Sequence, residues 1–485
     1  MRRAVIVALV VVVAGSASWA QEDPGSDDGE AADAGIEEVT VIDRETAVQL
    51  ALANNLGVRI EDLEVRTAKR MVDSAWTVFI PEVSASGRLA RVNEVEDRTG
   101  LAPVPSSENP PGSGAYDAVA PFEEEGNRWN LSTELSATLS VNLEIIRGIQ
   151  QTLQQYELGV LNLEDAKAQL RRDVQKQFYE LLAQQENVRI VRESIETAQE
   201  RFEQSEVNYE NGLVDEFTVL SSRVQLENLR PQLEQQELAY RRDLMGFKQT
   251  LGLDPTESVE LDGQIEADLL SLEADALVRE YTERRHDIRL AREEVGLRQL
   301  ALDAKRAERF PTLNLQWNSD PSFAGDPFDD PWFDDIDNDW SQQQGAFVIS
   351  VIQPLDPLLP FSRTKAEIEN HEDEIEQARL RLRQARTGAE IEIRQLVDQL
   401  DTARNAIEVR RLNVERAERA FSLAEEAYEA GNRELLEVRE AEDDLEEARV
   451  QLLEEQKNYV VALLDLIYAL NTTLDDLRDM GDESE

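Results

Sequence analysis

Apolar residues recur along this chain in two rhythms. Over residues 44–79, Ala47, Leu50, Ala51, Val58, Leu63, Val65 and Val72 fall at helical spacing, and Pro81 ends the run. Alternation then takes over. Trp129, Leu131, Leu135, Ala137, Leu139, Val141, Leu143 and Ile145 exchange places with Asn130, Ser132, Glu134, Ser136, Thr138, Ser140, Asn142 and Glu144. Such a pattern predicts one strand over 129–145 with an apolar and a polar face. Its length exceeds the usual five or six residues of soluble sheets and suits a tilted strand crossing a membrane. Shorter alternations predict strands at 83–92, 313–317 and 346–352, and a second helical run, 276–310, ends at Pro311. Each half therefore reads helix, proline, strand. The intervening segments 93–128 and 318–345 read as exposed loops.

Most of the remaining chain follows a heptad. Val188, Val191, Ile195, Ala198, Phe202, Ser205 and Tyr209 step by three and four, as do Leu396, Leu400, Ala403, Ile407, Arg410, Val414, Ala417, Phe421, Ala424 and Tyr428. Sustained spacing of this kind is a coiled-coil seam. A helix over about 147–209 reaches roughly 95 Å at 1.5 Å per residue, so the molecule is elongated. After YENGLVDEF and YEAGNRELL the heptads resume with Val219, Leu226, Leu229 and Leu233, or with Val438, Leu445, Leu452 and Tyr459. Gly212 and Gly431 are the expected helix stops, so each turn is the tip of a long helical hairpin. The two hairpins share one design. FEQSEVNYENGLVDEFTVL, from Phe202, superposes without a gap on FSLAEEAYEAGNRELLEVR, from Phe421, and the register continues to Tyr240 and Tyr459. The chain thus contains an internal duplication. It divides into repeats at 39–262 and 263–475, preceded by a signal peptide (1–20) and an acidic leader (21–38) and followed by an acidic tail (476–485).

Composition narrows the function. One hundred Asp and Glu against fifty Lys and Arg give a net charge of -50, which repels phosphate and excludes nucleic acid as a partner. Arg2 and Arg3 followed by an apolar stretch and small residues up to Ala20 form a secretory signal, and no later run is long and apolar enough for a spanning helix. The absence of cysteine excludes disulfides, thiolate metal sites and an acylated N-terminal Cys. If this protein enters a membrane, its strands do so. Four strands cannot close a barrel, so several chains must share one. The acidic loop DPFDDPWFDDIDNDW lacks the glycine and glutamate of an EF-hand and reads as solvated. His286 and His371 are expected on exposed helix faces without a second ligand. No phosphate-binding, dinucleotide or nucleophile motif is present, so neither a cofactor nor catalysis is expected. A soluble periplasmic coiled-coil scaffold is the rival reading, but it gives the long alternation no purpose.

The duplicated order of helix, proline, strand, loop, strand and long hairpin, with its two tips, resembles the TolC-like outer-membrane efflux protein family over the whole mature chain. That resemblance implies a mainly α fold with a membrane β-barrel: a homotrimeric channel-tunnel in which each chain gives four strands and two coiled-coil hairpins. Its implied role is an exit duct in the outer membrane for substrates expelled by an inner-membrane pump through a periplasmic adaptor protein. A type I protein-secretion exit channel is the alternative. Leu131, Leu135, Leu139 and Val141 are expected to face outer-membrane lipid. By the same resemblance Glu437 and Glu440, one turn apart, line the periplasmic entrance, and Tyr428 and Arg433 hold it closed, with Asp215 or Glu216 of a neighbouring tip as partners for Arg433. Tyr209, Gly212, Leu213, Val214, Phe217 and Gly431 form the tips, where exposed Leu213, Val214 and Phe217 suit an adaptor's helical hairpin. The stretches LEIIRGIQ and QPLDPLLPFSR depart from the family's Asp-Gly-Gly turn between strand and long helix.

Overall fold

The computed structural model describes residues 40–91, 98–105, 116–124, 129–320, 322–324, 345–430, 432–433 and 435–482. The signal peptide, the leader, Gly431 and the acidic loop from 325 to 344 lie outside them. The first half runs β1 (Thr40–Ile42), α1 (Arg44–Asn54), α2 (Leu56–Ala75), β2 (Glu82–Arg91), β3 (Arg98–Pro105), β4 (Tyr116–Glu124), β5 (Trp129–Val141), α3 (Leu143–Glu210), α4 (Glu216–Leu251) and β6 (Val259–Leu261). In the second half follow α5 (Ala274–Tyr281), α6 (His286–Ala307), β7 (Thr312–Ser319), β8 (Ser322–Ala324), β9 (Ala346–Ile352), α7 (Arg363–Glu429), α8 (Leu435–Leu470) and α9 (Leu474–Asp482).

The four expected strands form one antiparallel sheet in the order β2-β5-β7-β9, with β8 added to β5. Residues paired across strands share a face, so the register decides what each face is made of. Val83, Ala137, Trp317 and Phe347 form one row, Leu139, Leu315 and Ile349 the next, and Val141, Leu313 and Val351 a third. The opposite face carries Ser84, Ser136, Asn318 and Ala346, then Glu82, Thr138, Gln316 and Val348, then Ser140, Asn314 and Ser350. One face is apolar across the sheet, and the other is dominated by hydroxyl and amide groups. Strands β2 and β9 are the two edges.

Beneath the sheet stand the long helices, α3 and α7 with 68 and 67 residues and α4 and α8 with 36 each. At 1.5 Å per residue α3 is about 102 Å long. Asn142 starts it by accepting the Ile145 N–H, and Ser362 does the same for α7 at Lys365. On the way back from the tip, α4 stops where α2 begins: Asn55 Nδ2 donates to the Thr250 carbonyl at 3.1 Å. Gly252, in the left-handed region at φ 73°, allows that approach, since a Cβ there would lie 2.6 Å from the Asn54 Cβ. Similarly α8 ends against the start of α6, with Asn471 Nδ2 donating to the Arg284 carbonyl at 3.2 Å. The packing therefore gives four columns side by side: α2 over α4, α3, α6 over α8, and α7.

Two cores lie at these junctions. Val174, Phe178, Leu181, Leu244, Phe247 and Leu251 fill the first; Ile393, Val397, Leu400, Leu463, Leu466 and Leu470 fill the second. Each pair is separated by the same interval as Phe202 and Phe421. The first is closed by Ile42 and Leu261 of the parallel pair β1 and β6, and the second by Leu277 and Tyr281 of α5 and Leu477 of α9.

Several expectations change. The helix expected over 44–79 breaks at Asn55, whose side chain caps a new helix through the Gly57 and Val58 N–H groups, and it gives way to a 3-10 turn at Trp76–Phe79. Likewise the run expected over 276–310 is split by a 3-10 turn at Thr282–Arg284. The strand expected to reach 145 stops at Val141, because capping by Asn142 takes Leu143 and Ile145 into α3. Within the segment read as a loop over 93–128, β3 and β4 pair as a hairpin of their own, a two-stranded arrangement that tolerates their prolines at edge positions. Residues 474–482, which overlap the segment read as an acidic tail, form a helix anchored by fully buried Leu477.

Candidate functional site

Both hairpin tips close by the same backbone rule. In the first, the Leu213 N–H donates to the Asn208 carbonyl at 2.8 Å and Gly212 adopts φ 71°, a Schellman-type ending. At the corresponding place in the second, the Asn432 N–H donates to the Ala427 carbonyl at 2.8 Å. Each closure reverses the chain within a few residues, so the side chains flanking it are held on rigid helix ends.

The side chains have diverged between the tips. Leu213 and Phe217 are 73% and 75% exposed and Tyr209 is also exposed, whereas Val214, expected beside them, is half-buried. Asp215 starts α4 by accepting the Thr218 N–H at 3.0 Å and its hydroxyl at 2.7 Å, and these hydrogen bonds hold its carboxyl below the usual carboxylate range. That carboxylate, considered above as a partner for Arg433, is already engaged within its own chain. Arg433 lies 3.3 Å from Glu437, one turn further along. Glu437 and Glu440 are both exposed, and Tyr428 is half-buried. The structure thus brings Arg433 and Glu437 together and places Glu440 one turn beyond Glu437.

A link the periodicity did not reveal lies higher up. Arg201 of α3 and Glu442 of α8 form an ion pair, with side chains only 13% and 17% exposed. The guanidinium lies 5.9 Å from the Phe421 ring centre. Ser194 donates to Glu446 at 2.9 Å, and Arg439 reaches Ser221 at 3.4 Å. Burial pushes the Glu442 carboxyl above its ordinary value, opposed by Arg201 and reinforced by Asp443 and Glu446. These contacts tie the hairpin of one repeat to that of the other. The only sequence signal was a pair of charges close to a seam.

The histidines differ from expectation, since neither is fully exposed. His286 stacks on Tyr468 at 6.5 Å, with both ring nitrogens buried and without a hydrogen-bond partner. Burial, followed by the hydrogen bond to Asp165, pushes the Tyr468 hydroxyl up to about 12. His371 Nδ1 lies 3.2 Å from Glu374. No metal-binding cluster occurs among the described residues.

A duplicated chain that sets a one-sided apolar sheet on four columns of helix, with tips at the far end, is built as a subunit of an outer-membrane channel-tunnel. The chain belongs to the outer membrane efflux protein family, whose model matches residues 47–253 and 277–472. It provides an exit duct for efflux in the outer membrane, with its tunnel in the periplasm. The pyoverdine export outer membrane protein OpmQ of Pseudomonas aeruginosa is 23% identical over 416 residues, covering 84% of this chain and 81% of that protein. The fold is similar to that of the outer membrane protein VceC of Vibrio cholerae, with TM-score 0.66, 16% identity and coverage of 88% of this chain and 96% of that one. It is also similar to the CmeC outer membrane channel of Campylobacter jejuni, with TM-score 0.65, 16% identity and coverage of 96% and 98%. Membership leaves the soluble scaffold without support.

Proposed function

We propose that three copies of this chain close a twelve-stranded barrel continued by a twelve-column helical tunnel, which receives substrates from an inner-membrane pump through a periplasmic adaptor. The observation that carries this reading is the strand order β2-β5-β7-β9, whose two edges have no partner among the described residues, since a barrel in lipid must close and four strands across are too few. The outer columns support it. Leu56, Ile60 and Leu63 of α2 are exposed on one side, and Leu380, Ile391 and Leu412 of α7 on the other, as neighbouring subunits require. Leu131, Leu135, Leu139 and Val141 share the apolar face and meet lipid; the polar face lines the channel.

At the periplasmic end the tips have separate tasks. Leu213 and Phe217, with Tyr209 and half-buried Val214, offer the adaptor an apolar surface at the turn made by Gly212, while the second tip, at Gly431, forms the gate. Three copies of Glu437 and Glu440 around the axis favour cations. Tyr428 and Arg433 restrain the second tip, with the Arg433–Glu437 pair competing with contacts to a neighbour. Tyr428→Phe combined with Arg433→Ala is expected to raise single-channel conductance in planar bilayers. Glu437→Gln with Glu440→Gln is expected to lower cation selectivity, most at low salt where screening is weakest. Parental conductance and selectivity in both double variants would remove the gating role.

A further inference from the structure

Below the last rung of the sheet, where Thr312 faces Ile352, the chain leaves β9 through PLDPLLPF, residues 354–361. Part of this segment's backbone is closed on itself. The Leu358 N–H donates to the Leu355 carbonyl at 3.1 Å, Leu359 to Asp356 at 3.0 Å and Ser362 to Leu359 at 3.2 Å, while Pro354, Pro357 and Pro360 carry no N–H. Gln353 Nε2 ties it to the Arg309 carbonyl at 2.9 Å. Only Pro357 is buried. The ordered turn directs its larger apolar side chains outward: Phe361 is 84% exposed, Leu355 68% and Leu358 58%.

Either a neighbouring subunit or lipid can cover such a surface, and the distribution of exposed apolar groups favours lipid. Trp76 and Ile80 are exposed just before β2, Ile146 just after β5 and Phe310 just before β7, so the apolar collar runs below all four strands. Strands β5 and β7 are interior to the sheet, and a contact between subunit edges leaves their collar residues uncovered. The collar also continues the apolar face directly, through exposed Phe347, Ile349 and Val351 of β9. With two of its five N–H groups bonded and three prolines that have none, the turn leaves few backbone donors to satisfy, and its apolar groups lie outside. Aromatic groups at strand ends are what the interfacial girdle of a membrane barrel contains.

We propose that the turn at residues 354–361 inserts into the periplasmic leaflet of the outer membrane, with Leu355, Leu358 and Phe361 against acyl chains, as a noncovalent lipid anchor for a chain that has no cysteine to acylate. This inference rests on the apolar sheet face meeting lipid. The lack of native cysteine makes the test direct. Phe361→Cys and, separately, Leu358→Cys carry a nitroxide on the full-length assembly in phosphatidylethanolamine–phosphatidylglycerol vesicles, and collision with oxygen is compared with collision with a water-soluble nickel chelate by electron paramagnetic resonance. Oxygen is expected to dominate at both sites, as at a Leu139→Cys control and opposite to Asn211→Cys at the first tip. Dominance of the nickel chelate at 358 and 361, or shielding from both reagents, overturns the anchor. If the Leu139 label remains lipid-exposed in that case, the anchor alone is lost; if the Leu139 label is also in water, the lipid-facing reading of the sheet fails with it.

Discussion

Replacing Arg201 by Met tests whether the two repeats are held together by the ion pair between α3 and α8. The substitution keeps most of the side-chain volume and leaves Glu442 without its cation. Removing one partner of a fully buried pair costs about 3 to 5 kcal/mol. Both side chains here retain some exposure, and Arg201 Nη2 already lacks a partner, which argues for a smaller loss. We expect about 2 to 3 kcal/mol, which speeds opening-limited amide exchange roughly 30- to 150-fold. Hydrogen-exchange mass spectrometry at pH 7.5 should find this change in peptides covering 195–210 and 436–447, with the cores around Phe178 and Val397 unchanged. The sign of the pH dependence follows from Glu442. Its folded-state pKa is already raised and rises further without Arg201, so the penalty is full above that value and shrinks as pH falls towards the ordinary carboxylate value. Arg201→Met with Glu442→Leu removes both charges and should restore protection. Exchange in Arg201→Met within threefold of the parent, or a double variant as exposed as the single one, refutes the reasoning.

Leu139→Arg should impair membrane insertion by about 2 to 4 kcal/mol if the residue lies near the bilayer centre, with Ser140→Arg better tolerated; equal yields of outer-membrane assembly for the two contradict the assigned faces. Gly252→Ala forces a side chain into a left-handed position against Asn54 and should cost at least about 1 kcal/mol, measured by denaturant unfolding of the helical signal; no change would mean that the α2–α4 junction relaxes freely. Asp215→Ala should speed exchange of the Thr218 amide. Because the Asp215 pKa is lowered from 3.8, parental protection there is present above that value and should be lost as pH falls through the folded-state pKa; pH-independent protection would show that the cap is not made by the carboxylate.

The sequence by itself determined the elements and their duplication, because those depend on spacing along the chain. Alternation at Leu131, Leu135 and Leu139 specifies a two-faced strand, and the heptads from Val188 to Tyr209 specify a long helix, whatever each later packs against. The gapless match of Phe202 to Phe421 also contained the correspondence of the two cores. Local capping decided where elements stop, and periodicity is blind to it: Asn142 ends a strand whose alternation continues, and Asn55 divides a helix whose spacing does not change. Only the tertiary structure decided partners across the fold. Strand order set Leu139 beside Leu315 and Ile349, the α3–α8 packing turned Arg201 and Glu442 from two surface charges into a largely covered link, and Leu477 became core in a segment whose charges suggested a tail. The physical reason is the same in each case: burial and pairing depend on which surfaces meet in space, and the spacing of one segment does not contain the surface of another.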